Sequence, residues 1–129
     1  MSPNYPHLLW NHAPLFSLAF GFIFVAISLI KANPTLRKTG LVLLVLAGLF
    51  SVPAYLTGEE AEHFVEEIPG ISEHYLEEHE ELGETAYYVN LLVGILALAA
   101  LTLGGMFEKY RKLLDIVVVV AGFMGIAIT

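Results

Sequence analysis

The sequence predicts an all-α integral membrane protein: one domain over residues 1–129, folded as a four-transmembrane-helix bundle with a short amphipathic helix in an outer acidic loop. Three observations predict it. Hydrophobic residues make up 57% of the 129 positions, more apolar surface than a globule of that size can bury in its own core. Four runs poor in strong charge, at 13–30, 40–56, 86–107 and 113–129, approach the length that crosses about 30 Å of hydrocarbon at about 1.5 Å per residue. The charges between these runs segregate. All six bases fall in two short stretches, Lys31/Arg37/Lys38 and Lys109/Arg111/Lys112, while eleven of thirteen acids crowd into residues 58–85.

The first run, 13–30, resembles the apolar core of a signal peptide but lacks the Lys or Arg that such a peptide carries on its N-terminal flank. It is therefore expected to be a permanent span. Basic residues are retained on the cytoplasmic side, so the loops at 31–39 and 108–112 are both expected to be cytoplasmic. Four spans then leave both termini outside, N-out and C-out. In a bacterium that face is periplasmic, and the membrane is the inner one. The acidic loop holds −11 with histidine neutral, and the opposite side holds +4, the six bases less Glu108 and Asp115. This acidity leaves no expectation of a nucleic-acid partner.

Because both cytoplasmic loops are short, spans one and two, and spans three and four, are expected to form antiparallel hairpins. Small residues recur at four-residue spacing in every span: Ala13/Ser17/Gly21, Ala47/Ser51, Ala100/Gly104 and Ala121/Gly125. Such stripes permit close helix approach in lipid, although Ala and Gly are common in membrane helices anyway. The fourth span is the weakest, being short and interrupted early by Asp115.

The outer loop carries its own helix signals. Thr57-Gly-Glu-Glu60 has capping-box spacing, predicting a separate helix over about 58–68 that Pro69-Gly70 stops. Ser72 then offers an N-cap for a helix running through the acidic run into the third span. Helical spacing puts Tyr75, His79, Leu82 and Ala86 on one face, making His79 the inward histidine and His74 the solvated one.

Every plausible metal or proton ligand lies on the acidic face. His12 stands at the mouth of the first span, His79 about two turns above the third, and Glu59 and Glu62 just beyond the second. Antiparallel packing would gather these helix ends into a His, His, carboxylate, carboxylate set suited to a transition ion, Fe, Cu, Zn or Mn. The plainer reading of the acids, Glu67, Glu73, Glu77, Glu81 and Glu84 above all, is a solvated coat that keeps the loop out of the bilayer. For His12 and His79 the plainer reading is an interfacial imidazole bonded to a backbone carbonyl.

Glu60-Ala-Glu-His63 has the Glu-x-x-His spacing of di-iron bundles, but those sites need two such motifs and this chain has one. Bis-imidazole ligation of haem b by His12 and His79 is the alternative, although membrane cytochromes of that type place their histidines inside the spans. Trp10, Phe16, Tyr55 and Tyr87 could edge a haem, and equally form an interfacial aromatic belt. Tyr88 and Asn90 are the remaining polar groups near the top of the third span. The chain has no cysteine, which excludes disulfides, thiolate metal sites and covalent haem attachment. No nucleophile with an attendant base supports an enzyme assignment.

The strings Asn11-His12-Ala-Pro14, Tyr55-Leu-Thr-Gly58-Glu59-Glu-Ala-Glu62, Pro69-Gly70 and Glu78-His79-Glu80 together resemble an uncharacterised family of small four-span bacterial membrane proteins. That family is akin to the domain of unknown function sometimes fused to Rieske-type iron–sulfur domains. The resemblance covers essentially the whole chain. It implies a shared polar cluster on the outer face, with His12, Glu59, Glu62 and His79 at the matching positions, and any redox partner as a separate protein. It brings no established activity.

The leading expectation is thus a membrane protein that binds a redox-active metal or haem at its periplasmic mouth and serves electron transfer, in a homo-oligomer or a redox complex. The alternative is a non-catalytic subunit whose acidic outer face docks a basic partner, such as a soluble periplasmic electron carrier. A cation pathway is the third reading, and the spans offer no mid-membrane ionisable residue to mark its route.

Overall fold

The computed structural model describes residues 4–66, 70 and 73–128, with side chains for 12–57, 70, 77, 78 and 81–128. Four helices follow one another: α1 (Asn4–Lys31), α2 (Pro34–Glu66), α3 (Glu73–Met106) and α4 (Glu108–Ile128). They form an up-down-up-down bundle in which α1 packs on α2, α2 on α3, α3 on α4 and α4 back on α1. Three of them contain stretches long and apolar enough to cross a membrane: His12–Lys31, Pro34–Thr57 and Glu81–Met106. Their outer faces carry exposed Phe20, Ile23, Leu49, Leu92, Ile95 and Leu98, an apolar coat that a bilayer covers. α4 differs. Arg111, Lys112 and Asp115 occupy its first turns, so that its uninterrupted apolar length begins only at Ile116.

The turns are tighter than the charge pattern implies. The loop expected at 31–39 contracts to Ala32 and Asn33, and the one expected at 108–112 to Phe107, the basic residues being absorbed into helix. Ala32 takes a left-handed φ of 50° and still donates its N–H to Ser28 O at 2.9 Å, which closes α1. Asn33 Oδ1 accepts from the amides of Thr35 at 3.0 Å and Leu36 at 3.2 Å, capping α2, and Pro34 fills the first helical position where no N–H is needed.

The separate helix expected over 58–68 does not form. α2 runs unbroken from Pro34 to Glu66, and Thr57 sits inside it with its hydroxyl donating to Pro53 O at 2.7 Å and Ala54 O at 3.3 Å. A Thr bonded back into the preceding turn is no longer an N-cap. Continuing through Gly58 costs about 1 kcal/mol against Ala, less than orphaning the backbone groups of two new helix ends. Gly70, with φ of 91°, stands in the turn between α2 and α3, where Pro69-Gly70 was expected to break the chain. α3 then runs from Glu73 through the acidic run into the third span, as the sequence predicts.

The core consists of Leu18 and Val25 from α1, Leu41, Leu44 and Ala47 from α2, Val93, Ala97 and Ala100 from α3, and Val118 from α4. Two glycine crossings set how closely the helices approach. A Cβ on Gly21 would meet Gly40 O at 2.9 Å, and one on Gly40 would meet Gly21 O at 2.9 Å. At the second crossing, a Cβ on Gly48 would lie 3.2 Å from the Gly94 Cα. Backbone contact of this kind is what drives helix association in lipid, where the tails are as apolar as the side chains.

Candidate functional site

At the acidic end, His12 is exposed and its ring stacks on Phe16, with centroids 6.1 Å apart and planes at 27°. It heads a row along α1 that continues through Phe20 and Phe24 at ring distances of 6.4 and 6.5 Å. The side chains of the other three candidate ligands, Glu59, Glu62 and His79, lie outside the described residues. Their backbones belong to the helices α2 and α3. Among the described residues, which include the side chain of His12 alone of the four candidates, no three His, Cys, Asp or Glu groups come together.

Below this end, Tyr55 of α2 stacks on Tyr87 of α3 at 4.6 Å, and Tyr88 meets Tyr87 edge-on at 5.4 Å. This pairing ties α2 to α3 where they approach the acidic end, each stacked pair contributing roughly 0.5–1.5 kcal/mol beyond area burial. Asn90 is buried one turn further in, where its Nδ2 donates to Ala86 O at 2.8 Å. Its backbone carbonyl faces Gly48 across the α2–α3 contact, and its Oδ1 is buried with no hydrogen-bond partner among the described residues. On α3 above, Glu77, Glu78, Glu81 and Glu84 are all exposed.

The most organised polar arrangement among the described residues is at the basic end, a pairing that sequence reasoning missed. Arg37 of α2 reaches across the bundle: its Nε donates to Asp115 Oδ2 on α4 at 2.7 Å and its Nη2 to Ala100 O on α3 at 2.8 Å. The side chains are only 13% and 5% exposed. Gly104 makes the passage, because a Cβ there would lie 2.5 Å from Arg37 Nη2. Asp115 Oδ1 is buried without a hydrogen-bond partner among the described residues, so Arg37 carries the neutralisation of this carboxylate through one oxygen. The legible signal was Asp115 itself, since an acid inside an apolar run calls for a partner.

Beside this pair opens a cavity of about 340 Å³, framed by the end of α1, the start of α2 and the first turns of α4. Arg37, Lys38, Arg111, Lys112 and Asp115 line it together with the Ala32–Asn33 turn. Outside it, Arg111 pairs with Glu108 at 3.3 Å in an exposed contact.

Fold and exposed apolar coat define the class: a helical, multi-pass membrane protein built as a four-helix bundle with three membrane-length helices. The chain matches no protein-family model, no curated protein and no solved structure.

Proposed function

We propose that this protein crosses a bacterial inner membrane four times, both termini outside, and holds a redox-active metal ion or haem at its acidic periplasmic end. His12, Glu59, Glu62 and His79 supply the ligands or their immediate hydrogen-bond partners, and the bound centre serves electron transfer within a larger redox complex. A non-haem ion is favoured over haem b because carboxylates flank the histidines.

The observation that carries this reading is the register of α2 against α3. Gly48 lies against Gly94 and Tyr55 against Tyr87. Continued outward at equal rise on both helices, that pairing would bring the backbone of Glu62 to within one residue's rise, about 1.5 Å, of the level of His79. His12, the member of the set on α1, is exposed. Orientation is supported by the gathering of both basic turns at one end, where Arg37 and Asp115 meet. The inward turn of Asp115 onto Arg37 supports a fourth crossing, since it removes the charge that most opposes entry of α4 into lipid.

Elemental analysis and an absorption spectrum of the purified protein, with His12→Ala and His79→Ala beside it, test the site. A stoichiometric ion or a haem band lost in His79→Ala is the expected result; an apo protein with neither overturns it. Because the chain has no cysteine, single cysteines placed at Thr85 and Lys112 report the orientation by their labelling with an impermeant thiol reagent. Thr85 is expected to label from outside and Lys112 not.

The four exposed acids on α3 favour a second reading, in which the acidic end docks a basic soluble carrier. Its attraction would fade with salt over a Debye length of about 8 Å at physiological ionic strength. Association that ignores salt counts against it.

A further inference from the structure

We propose that the cavity at the basic end is a binding site for a phosphate-bearing anion, seated among Lys38, Arg111 and Lys112 with Arg37 as its fixed wall. Four cations line the cavity against one carboxylate, and that carboxylate is already engaged by Arg37 Nε. The guanidinium is held rigidly by its two bonds, to Asp115 and to Ala100 O, which pre-organises it as no free surface arginine is. Lys38 and Lys112 have no acidic partner among the described residues, and the Glu108 that meets Arg111 is exposed and does not line the cavity. Exposed cations gathered around one opening between helices, Lys38 and Lys112 without an acidic partner among the described residues, favour a compact multivalent anion, and phosphate oxygens match both ammonium and guanidinium donors.

The position says which source fits first. The cavity lies where the apolar stretches of α1 and α2 both end, at Lys31 and Pro34, which is headgroup depth in a bilayer. Exposed Ile30, at 84%, and Leu113, at 59%, give acyl chains an apolar surface next to it. The phosphodiester of an anionic lipid reaches this depth from the side, whereas a soluble phosphate ester enters from the aqueous face. Both present the same chemistry to the same residues, and the site is independent of whatever the acidic end binds.

The test is native mass spectrometry and thermal melting of the full chain in nanodiscs, with three compositions: phosphatidylcholine alone, phosphatidylcholine with phosphatidylglycerol, and phosphatidylcholine with added glycerol 3-phosphate. The variants are the triple Lys38→Gln/Arg111→Gln/Lys112→Gln, which leaves Lys31, Arg37 and Lys109 to hold the orientation, and the control Lys31→Gln/Lys109→Gln outside the cavity. The expected result is retention of phosphatidylglycerol and a raised melting temperature for wild type and control, with retention falling at least tenfold in the triple variant. Binding of glycerol 3-phosphate but not of phosphatidylglycerol, lost in the same triple variant, supports the site and assigns it to a soluble source. No preference for either phosphate source over phosphatidylcholine overturns the proposal. Equal losses in control and triple variant also overturn it, since they would mean a diffuse basic surface and no site.

Discussion

Arg37 and Asp115 meet at 2.7 Å across the diagonal of the bundle, joining α2 to α4, two helices with no extended packing face of their own. The pair is paid for in desolvation, and Ala100 O supplies the extra hydrogen bond that such a buried guanidinium needs. Its chief effect is on architecture. It fixes where α4, the helix least able to hold itself in lipid, sits against the other three.

Removing one partner strands the other. Arg37→Met or Asp115→Leu alone is expected to lower stability by about 3–5 kcal/mol, as for other buried pairs broken from one side. The double variant should lose less than either single one. SDS-driven unfolding of the four proteins measures the coupling, and simple additivity would show that the contact contributes none.

Gly104→Ala attacks the same pair indirectly by pushing the guanidinium away from Ala100 O. A cost of about 1.5–3 kcal/mol is expected, the scale of a hydrogen bond to a charged group. In an Arg37→Met background the same alanine should cost far less. An unchanged cost there would place the clash elsewhere.

Gly48 and Gly105 form a contrasting pair within reach of one experiment. A Cβ on Gly48 meets backbone, Asn90 O at 3.1 Å, whereas one on Gly105 meets nothing within 4 Å. Gly48→Ala is expected to destabilise by about 1–3 kcal/mol through overpacking. Gly105→Ala should be neutral or stabilise by up to about 1 kcal/mol, since alanine lowers the entropy of the unfolded chain. Detergent melting curves of the two variants check the sign of each.

Ala32 holds a positive φ that an L side chain adopts at a cost of roughly 1–2 kcal/mol. Ala32→Gly should recover part of that, about 0.5–1 kcal/mol, without altering the Asn33 cap. A loss of stability would mean that the alanine methyl contributes to the turn in some other way.

The four helices were legible because each apolar run carries its own length, and α3 was legible back to Glu73 through the Ser72 signal. The outer helix was misread because Thr57-Gly58-Glu-Glu60 has the spacing of a cap, and local spacing cannot reveal that the preceding turn already holds the Thr hydroxyl. Of the small-residue stripes, Gly21 and Gly104 do stand at close approaches. Gly40, the partner of Gly21, and the separate crossing of Gly48 with Gly94 were missed, since a crossing point is set between helices and leaves no period within one. Arg37 was legible only as an orientation signal, and Asp115 only as a blemish on the fourth span. That the two answer each other is a fact of distance in space, 78 residues apart along the chain. At the candidate site, the four-residue row from His12 through Phe16 to Phe20 and Phe24 is visible in the sequence, and the exposure of its first three members is not.

The unbroken run of α2 to Glu66 has a mechanical consequence. Residues 58–66 continue the rod about 13 Å past the end of the apolar stretch at about 1.5 Å per residue, and α3 descends beside it from Glu73. The acidic residues of 59–66 and 73–80 thus stand on a turret beyond the apolar stretches. That height exceeds the Debye length of about 8 Å, so the potential of the lipid headgroups is largely screened at the summit. A soluble partner that docked there would sense the charge of the protein and little of the membrane beneath it.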